Sequence, residues 1–564
     1  MSPKPLTQNP ALATVVYRNQ WRDIFDGTLP DGWEPTLKVS VVTAAYNSAT
    51  LPLTLASLAA QDYPEHLLEV VVIDDGSDPA VEIGEIAPKN TRLIRVDQGQ
   101  GWGRSNALRL GIEASDGDIV YWVDSDMILF SDNVREHAKW AHFIPEAATI
   151  GHKGFVETWD FTPEQVYDEV RSDEIRKHYD LSTLHRHWSL EIFEKTDELN
   201  LTGGRNYSTH MGACATVTRS VYDRTRGQDA DLRLGDDTEI AYQIWQAGAV
   251  FIPVHSAQTY HLGRATVQDK SQEVNYYNNV HFAQRMPIPR FRRRAANRQW
   301  AVPYITAVVT ADVETAALAR TCVDLLLNQD ETDLHVLLVA PWSTLHQGRR
   351  RVLADPDLEM YLLHEWYRHE GRVSMVEEAP DDVFPSPYRL DLPVTVGLHG
   401  RALTRMMRIA FGEDLGVTTF LPPPGSEVSE FVRITATAAR SRARAYVSDE
   451  VSFVEAVDAV WGVEWKPSHE IGMFDLRTTD LGRNIKQPDP LQVENLRERV
   501  TKAQARAAQA ERALDELQVQ TVAQLQELRQ RPLGAILRER VEQAARTTRQ
   551  PRAIARAVKR RIVS

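Results

Sequence analysis

Short apolar runs that end in polar residues alternate with segments of helical periodicity along the first part of the chain. The runs are 38–46, 69–73 and 119–123, and the helical segments between them are 50–61 and 104–114. Valine-rich runs of this length are typical of buried parallel strands. Strand, helix and strand in this order form a βαβ crossover. The pattern therefore predicts an α/β first domain.

Two segments of this first domain recur later in the chain. VVTAAYNSATL at 41–51 resembles VVTADVETAAL at 308–318, and EVVVIDDGS at 69–77 resembles HVLLVAPWS at 335–343. Similar segments at nearly the same separation predict a duplicated fold. The alternative is that two unrelated α/β domains share common strand patterns.

The second copy keeps the apolar strands but loses their carboxylates. Ala340 and Pro341 stand where the first copy has Asp74 and Asp75. GVTTFLPPP at 416–424 resembles DIVYWVDSD, which we interpret as an edge strand, but it ends in prolines. We therefore expect the second copy to retain packing without polar chemistry.

The C-terminal part has a different pattern. Between 493 and 517, Val, Leu and Ala recur in steps of three and four, which predicts a coiled coil over 490–530 and a homo-oligomer. A single helix that folds back on the protein is the alternative. The tail, 531–564, has ten Lys or Arg and two Glu, and its apolar residues fit a basic amphipathic helix on an anionic membrane surface. A solvated helix or a nucleic-acid contact remains open.

Composition excludes several classes of protein. The 564 residues are 43% hydrophobic, which is enough for several cores, and the net charge of −14 argues against a nucleic-acid partner. The two cysteines are far apart and predict neither a disulfide framework nor a zinc site. No apolar run reaches membrane-spanning length, so we expect a cytoplasmic protein, at most peripheral on the inner face of the plasma membrane.

Three carboxylate clusters follow or begin predicted elements, where an open α/β sheet binds ligands. They are Asp74 with Asp75, Asp124 with Asp126 in a D-x-D, and Asp236 with Asp237 in GDDTE. Two converging carboxylates favour a divalent cation, and oxygen ligands suit Mg²⁺ or Mn²⁺. His255 or His261 could complete such a site, with His261 preferred. An Asx turn at the first cluster and an N-cap role for one residue of the third are the alternatives.

The motifs VVTAAYN, VVIDDGS, GIEASDGDIVYWVDSDM, GACATVTRSVYD and GDDTE, in this order, resemble the inverting GT-A glycosyltransferases of family 2. The match covers roughly 38–265. VDSDM and the block from GA to GDD resemble chondroitin-synthase-like and polypeptide N-acetylgalactosaminyltransferase-like members most. The Arg that the family often has before its conserved glycine is absent here, and Arg104 or Asn106 could replace it.

The resemblance implies a role for each matching residue. Asp237 is the expected general base, with Asp236 as its neighbour in the catalytic pair, and the metal ligands are Asp124, Asp126 and His261. The residues implied to bind the nucleotide sugar are Thr43, Ala44, Tyr46, Asn47, Asp75, Arg104, Asn106, Asp124 and Ser125. His210 and Met211 are placed near the donor sugar. Apart from the resemblance, the polar and aromatic segment 151–210 could bind the acceptor through Lys153, Trp159, His185, His187 and Trp188, with ordinary packing as the alternative for each.

We therefore expect five segments. They are an N-terminal extension (1–37), a catalytic Rossmann-like GT-A domain (38–295), a degenerate GT-A-like α/β domain (300–480), the coiled coil and the basic tail. The resemblance implies transfer from a UDP-sugar, with Mn²⁺ or Mg²⁺, to a hydroxyl of a glycan, lipid-linked or protein acceptor in cell-envelope or extracellular glycan synthesis. The alternatives are a non-catalytic scaffold that binds glycans or partners and, more remotely, a nucleotidyltransferase.

Overall fold

The computed structural model describes residues 9–478, apart from 98, 183, 185–186, 202–205, 211, 265–269, 294–297, 346–347, 349–350, 425 and 427–428. The predicted coiled coil (490–530) and basic tail (531–564) lie outside the described residues, as do His185 and Met211. Within the part of the chain that is described, no helix has both the length and the apolar character needed to cross a bilayer.

An eight-stranded mixed sheet forms the first half of the fold. Its strands are β1 (Val39–Ala45), β2 (Leu68–Asp74), β3 (Thr91–Arg95), β4 (Ile119–Val123), β5 (Met127–Leu129), β6 (Ala147–Val156), β7 (Cys214–Thr218) and β8 (Val250–Leu262). They stand in the order β3-β2-β1-β4-β7-β6-β8-β5. Strands β1 to β4 are parallel, and β7 is antiparallel to both of its neighbours. The predicted α/β class is confirmed.

Helices connect and cover these strands. They are α1 (Leu51–Ala59), α2 (Arg104–Glu113), α3 (Asn133–Phe143), α4 (Pro163–Arg171), α5 (Ser189–Lys195), α6 (Arg219–Tyr222), α7 (Asp236–Gln246) and α8 (Ser271–Arg285). Helix α2 packs closely on β1 and β2 because Gly111 has no Cβ. A Cβ there would lie 2.4 Å from Val42 and 3.0 Å from Ile73. This contact holds the last turn of α2 against the two strands.

The strand that leads to the D-x-D is an interior strand. β4 pairs with β1 on one side and with β7 on the other, and all five of its residues are buried. The interpretation of this segment as an edge strand is therefore wrong. The continuous apolar run IVYWV fits a strand that is covered on both faces.

A second sheet follows the first. Its strands are β9 (Ile305–Thr310), β10 (Leu334–Val339), β11 (Val373–Val376), β12 (Tyr388–Asp391), β14 (Val417–Phe420), β15 (Val432–Ala436) and β16 (Val463–Lys466), and a separate antiparallel pair joins β13 (Val396–Leu398) to β17 (Met473–Asp475). The helices of this part are α9 (Ala316–Leu327), α10 (Leu358–Tyr367), α11 (Ala402–Gly412), α12 (Thr437–Ala443) and α13 (Phe453–Val460). The order β11-β10-β9-β12-β15-β14-β16 repeats that of the first sheet, with β15 antiparallel to both neighbours.

The shared order corrects two correspondences drawn from the sequence. β12 lies beside β9 as β4 lies beside β1, so the segment 416–424, which contains β14, matches β6 and not β4. The strand register also shifts the match between 69–77 and 335–343 by one residue. Val41 pairs with Val70 in the first sheet, and Val308, which matches Val41, pairs with Leu337 in the second, so Val70 matches Leu337 and not Val336. The residues matched to Asp74 and Asp75 are then Pro341 and Trp342.

The N-terminal segment lies between the two sheets. The Asn19 amide donates to the Phe251 carbonyl in β8 and accepts from the Phe251 N–H, both at 2.8 Å. Next to it, the Arg18 N–H donates to the Val460 carbonyl at 2.7 Å, at the end of α13. Arg18 and Asn19, which belong to the expected extension, are therefore part of the packed fold.

Arg442, in α12, is fully buried and joins the same regions. Its guanidinium donates to the carbonyls of Gly248 at 2.6 Å, Ala249 at 2.8 Å and Val16 at 3.2 Å. The guanidinium carbon also lies 4.9 Å from the centre of the Trp461 ring. Burial lowers the pKa of Arg442 to about 10. Two of these carbonyls, those of Gly248 and Ala249, lie just after α7, so the contact fixes the end of that helix.

Candidate functional site

Acidic side chains from three segments meet at one end of the first sheet. Asp75 follows β2, Asp124 and Asp126 follow β4, and Asp237 lies in the first turn of α7. The first helical residue of α2, Arg104, lies among them. Carboxyl ends of parallel strands are the usual ligand-binding edge of an open α/β sheet.

Arg104 connects two of the acidic segments. Its Nε and Nη2 donate to Asp124 Oδ1 at 3.0 and 2.8 Å, and its Nη1 donates to Asp236. Nη2 also donates to the Gly212 carbonyl at 2.8 Å. Burial disfavours the guanidinium charge, but Asp124, Asp236 and Asp237 outweigh it and raise the pKa of Arg104 above its usual value. The Arg104 guanidinium is therefore charged and is held in a fixed position in the site.

The start of α7 differs from the expected arrangement. Gly235 is the N-cap, with φ +76°, so Asp236 and Asp237 are the first two helical residues. The prediction that one of them is the N-cap is wrong. A Cβ on residue 235 would lie 2.5 Å from Phe282 and 2.9 Å from Asn278, so both the backbone angle and the space require glycine.

The two aspartates of α7 have different surroundings. Asp236 is buried against Arg104; burial raises its pKa and the guanidinium opposes that shift. Asp237 is half-buried, and its Oδ1 accepts from the Thr238 N–H at 2.7 Å and from the Thr238 hydroxyl at 3.3 Å. No residue that the structure describes donates a hydrogen bond to its Oδ2. This oxygen is available to accept a proton from a ligand.

Asp124, Asp126 and His261 form a group that could hold a cation. One ligand atom from each lies within 4.8 Å of the others, and Asp126 Oδ1 is 3.8 Å from His261 Nε2. Among the described residues, Asp126 Oδ1 and His261 Nδ1 are buried without a hydrogen-bond partner. Buried polar atoms are seldom left unpaired. Two carboxylates and an imidazole fit a divalent ion, with Mn²⁺ more suitable than Mg²⁺ because of the nitrogen ligand.

Strand pairing fixes this group. β5 is antiparallel to β8, with Met127 opposite His261, and the Leu262 N–H donates to the Asp126 carbonyl at 2.8 Å. The Phe155 ring packs 4.8 Å from the His261 ring, between centres. Burial raises the pKa of Asp126, and the neighbouring Asp124 adds to this shift while His261 opposes it. An unpaired carboxylate here is therefore unfavourable.

The residues implied to surround the nucleotide base lie at the ends of β1 and β2. Thr43 is fully buried, the Tyr46 ring is 65% exposed, and the Asn47 N–H donates to Ser77 Oγ at 2.9 Å. Ala44 packs against the core. Asp75 Oδ2 accepts from the Gly103 N–H at 2.7 Å, whereas Asp75 Oδ1 has no partner within the described part of the chain. One carboxylate oxygen can therefore accept a bond from a ligand.

Asp74 has a structural role. Its Oδ1 accepts from the Ser77 N–H at 2.8 Å, and its Oδ2 accepts from the Val81 N–H at 3.2 Å and from Arg95 Nη1 at 3.0 Å. Burial alone would raise the pKa of Asp74, but these hydrogen bonds lower it. The turn anticipated as the alternative for this pair applies to Asp74 and leaves Asp75 for a ligand.

Two of the expected donor-binding residues hold local structure. The Asn106 side chain is 1% exposed, donates to the Gln100 carbonyl at 2.9 Å and accepts from Arg109 Nη2 at 3.1 Å. The Ser125 carbonyl accepts from Thr50 Oγ1 at 2.9 Å. Of the two residues expected to replace the absent Arg, only Arg104 reaches the carboxylates.

Sequence reasoning missed a pair at the rim of the site. Trp102 is 64% exposed, and the Arg233 guanidinium carbon lies 4.5 Å from the centre of its ring. Burial raises the pKa of Asp75, and the positive charge of Arg233 opposes this shift. The signal available in the sequence was a Trp between two glycines, Gly101 and Gly103.

The histidine and tryptophans expected near the sugars have different environments. His210 is buried, its Nε2 lies 3.1 Å from the Thr216 carbonyl, and its ring is 5.7 Å from that of Trp122. Burial lowers the pKa of His210 to about 4, so it is neutral at pH 7. Trp159 and Trp188 are 37% and 49% exposed and could contact a ligand.

Comparison with known proteins identifies the relatives of this fold. Residues 40–225 match the family model described as glycosyl transferase family 2. A chondroitin synthase from Escherichia coli is 24% identical over 369 residues, which are 60% of this chain and 50% of that protein. An N-acetylglucosaminyltransferase from Bradyrhizobium elkanii is 37% identical over 139 residues, which are 22% of this chain and 76% of that protein.

The crystal structure of Staphylococcus aureus TarS 1–349 in complex with UDP-GlcNAc is also similar. It is 16% identical with a TM-score of 0.30, over 44% of this chain and 68% of that one. The chain spans half or less of the length of several of its curated relatives. The ordered motifs, the family match and the B. elkanii relative agree. The chain therefore belongs to glycosyltransferase family 2.

Proposed function

We propose that this chain is a metal-dependent inverting glycosyltransferase that moves a sugar from a UDP-sugar to an acceptor hydroxyl. The process that we propose for it is cell-envelope or extracellular glycan synthesis. The observation that carries the proposal is the meeting of three acidic segments at the start of α2, beside the group Asp124, Asp126 and His261. A cluster of purely structural ion pairs would not need unpaired carboxylate oxygens. Among the described residues, Asp75 Oδ1 and Asp126 Oδ1 are buried without a hydrogen-bond partner.

The nucleotide is proposed to bind along the ends of β1 and β2. Asp75 Oδ1, which has no partner among the described residues, would accept a bond from the uracil N–H. The exposed Tyr46 ring is available for stacking on the base. Asp124, held by Arg104, would face the ribose.

Asp126, His261 and Asp124 would hold the divalent cation. When bound, the cation would offset the negative charge that develops on the UDP leaving group. Arg104 keeps the neighbouring carboxylates in place, and two of its bonds go to one oxygen of Asp124, which leaves the other oxygen for a ligand.

Asp237 is proposed as the general base. Its Oδ2 would accept the proton from the acceptor hydroxyl while that oxygen forms a bond to the anomeric carbon. The bond between this carbon and the diphosphate oxygen breaks on the opposite face, and its electrons leave with UDP. A single displacement inverts the anomeric configuration. The bonds from Thr238 to Oδ1 orient the carboxylate for this transfer.

We propose that the second sheet belongs to a duplicated, non-catalytic GT-A-like domain. When the two VVT segments are matched, the strand registers give the corresponding residue of the second sheet for each metal-site residue. Asp124, Asp126 and His261 correspond to Val394, Val396 and Phe474. Apolar side chains at all three positions remove the chemistry and keep the packing.

The C-terminal segments keep their predicted roles as proposals. The coiled coil would form a homo-oligomer, and the basic tail would bring a cytoplasmic protein to an anionic membrane surface that presents a lipid-linked acceptor. Flotation with phosphatidylglycerol vesicles, with and without 531–564, tests the second proposal.

Turnover of a panel of UDP-sugars with Mn²⁺ or Mg²⁺ tests the main proposal. We expect UDP release from at least one UDP-sugar and loss of this release in EDTA. The anomeric proton coupling of the product, measured by NMR, should indicate the configuration opposite to that of the donor. UDP binding without turnover of any donor would favour the scaffold alternative. Release of pyrophosphate in place of UDP would indicate a nucleotidyltransferase.

A further inference from the structure

Lys153 lies beside the catalytic carboxylates but takes no part in the proposed chemistry. It is in β6, two residues before Phe155, so the two side chains point to the same face of the strand. The Phe155 ring packs against His261. Lys153 also lies within the electrostatic range of Asp124 and Asp237.

Among the residues that the structure describes, the ammonium of Lys153 has no fixed partner. No residue in the described part of the chain forms a hydrogen bond or ion pair with this side chain, in contrast to Arg104, which bonds to two carboxylates. Burial lowers the pKa of Lys153, and Asp124 and Asp237 oppose that shift. An ammonium that is partly removed from water is costly unless an anion compensates it.

Lys153 also lines a small cavity next to the site. The cavity has a volume of about 20 Å³, and Cys214, His187, Ser189 and His255 line it as well. A space of this size holds one or two oxygen atoms of a substituent, and not a sugar ring. The residues proposed to bind the nucleotide do not line this cavity. The position therefore suits a substituent that enters from the acceptor.

An exposed aromatic surface borders the same cavity. The Trp188 ring, 49% exposed, lies 5.4 Å from the His187 ring, between centres. His187 in turn lies 6.5 Å from Phe155, which contacts the metal-site histidine. A sugar ring that stacks on Trp188 could therefore direct a substituent toward Lys153.

We propose that Lys153 binds an anionic substituent, a carboxylate or a phosphate, of the acceptor glycan. The inference rests on the proposed function and adds the chemical class of the acceptor. Arg104 is already neutralised by Asp124 and Asp236, so it does not serve this anion. Lys153 provides the charge that selects an acidic acceptor over a neutral one.

Matched acceptors test this specificity. Transfer is measured to methyl β-glucoside, methyl β-glucuronide and methyl β-glucoside 6-phosphate, with the UDP-sugar that the wild-type protein hydrolyses fastest. We expect at least one anionic acceptor to have a kcat/KM at least tenfold above that of the neutral glucoside. Lys153→Met should reduce this ratio at least fivefold, and Lys153→Arg should reduce it less. The glucuronide and the phosphate distinguish the two sources of charge.

Lys177→Met is the control, because it removes an exposed lysine that pairs with Glu174, and it should leave the ratio unchanged. Equal use of neutral and anionic acceptors by the wild-type protein overturns the inference, whatever the variants do. A loss of UDP affinity in Lys153→Met, measured by calorimetry with an unchanged acceptor ratio, assigns Lys153 to the diphosphate and also overturns it. Failure of the wild-type protein to turn over any UDP-sugar contradicts the proposed function itself.

Discussion

Arg104 donates a hydrogen bond to Asp236, 132 positions later in the chain. The first residue of α2 is thereby joined to the first residue of α7, across the cleft that contains Asp124. Arg104 and Asp236 are mostly buried, and each compensates the charge of the other. The geometry of the site therefore depends on an ion pair that is not itself proposed to react.

Arg104→Met should destabilise the protein by about 3–5 kcal/mol, because it leaves Asp236 buried without its cation. The free energy of unfolding in urea measures this loss. Arg368→Met, just after α10, removes an exposed pair with Glu365 and should cost about 0.5 kcal/mol or less. If the two variants lose the same free energy of unfolding, the pair of Arg104 with Asp236 stabilises the protein no more than a surface ion pair.

Asp237→Asn should lower kcat by about 10²- to 10⁴-fold, because the amide cannot accept the proton of the acceptor hydroxyl. The amide keeps the shape of the side chain, so the affinity for UDP with Mn²⁺ should change less than twofold. Steady-state kinetics and calorimetry measure the two quantities. Asp231→Asn makes the same charge change at an exposed position nearby and is the control. Full turnover in Asp237→Asn would exclude this residue as the base.

Asp126→Asn and His261→Ala should each raise the Mn²⁺ concentration that gives half-maximal activity by at least tenfold. Each variant removes one of the three groups that offer ligand atoms within 4.8 Å of one another. The stabilisation of the protein by Mn²⁺ in thermal unfolding should fall in parallel, which gives a measurement that is independent of turnover. His66→Ala, at an exposed position, should leave both quantities as in the wild-type protein. An unchanged Mn²⁺ response in both site variants would exclude this group as the cation site.

The strands and helices of the first sheet could be predicted because a strand that is buried on both faces appears in the sequence as a continuous apolar run. The apolar run at 119–123 corresponds to β4 residue for residue, and the expected helix at 104–114 ends within one residue of α2. The N-cap of α7 could not be predicted from the sequence. A glycine before two aspartates gives no local sign that the space at its Cβ is filled by Phe282, 47 positions later.

Long-range pairing explains the other differences. Whether β4 lies at an edge or in the interior depends on β7, about 90 residues further on, which the local pattern does not reveal. The division of labour between Asp74 and Asp75 likewise depends on which carboxylate meets Arg95 and which meets Gly103. Adjacent residues of the same type are distinguished only by their three-dimensional neighbours.

Glu239→Gln should change how stability depends on pH. Glu239 lies in α7, buried, with both carboxylate oxygens accepting from Gln243 Nε2 at 3.0 and 2.9 Å. Burial raises the pKa of Glu239 from 4.5 to about 7. The folded state therefore holds a proton that the unfolded state has lost between these values, so this group makes the protein less stable as pH rises from 4.5 to 7.

The loss should reach about 3 kcal/mol above pH 7 and be absent below pH 4.5, where both states are protonated. Glu239→Gln removes the ionisation, so the decrease in unfolding free energy between pH 5 and pH 8 should be smaller than in the wild-type protein by about 2–3 kcal/mol. Urea titrations at the two pH values measure this difference, and Glu273→Gln, at an exposed position, is the control. If Glu239→Gln and the wild-type protein lose the same free energy over this interval, Glu239 is ionised at an ordinary pKa in the folded state.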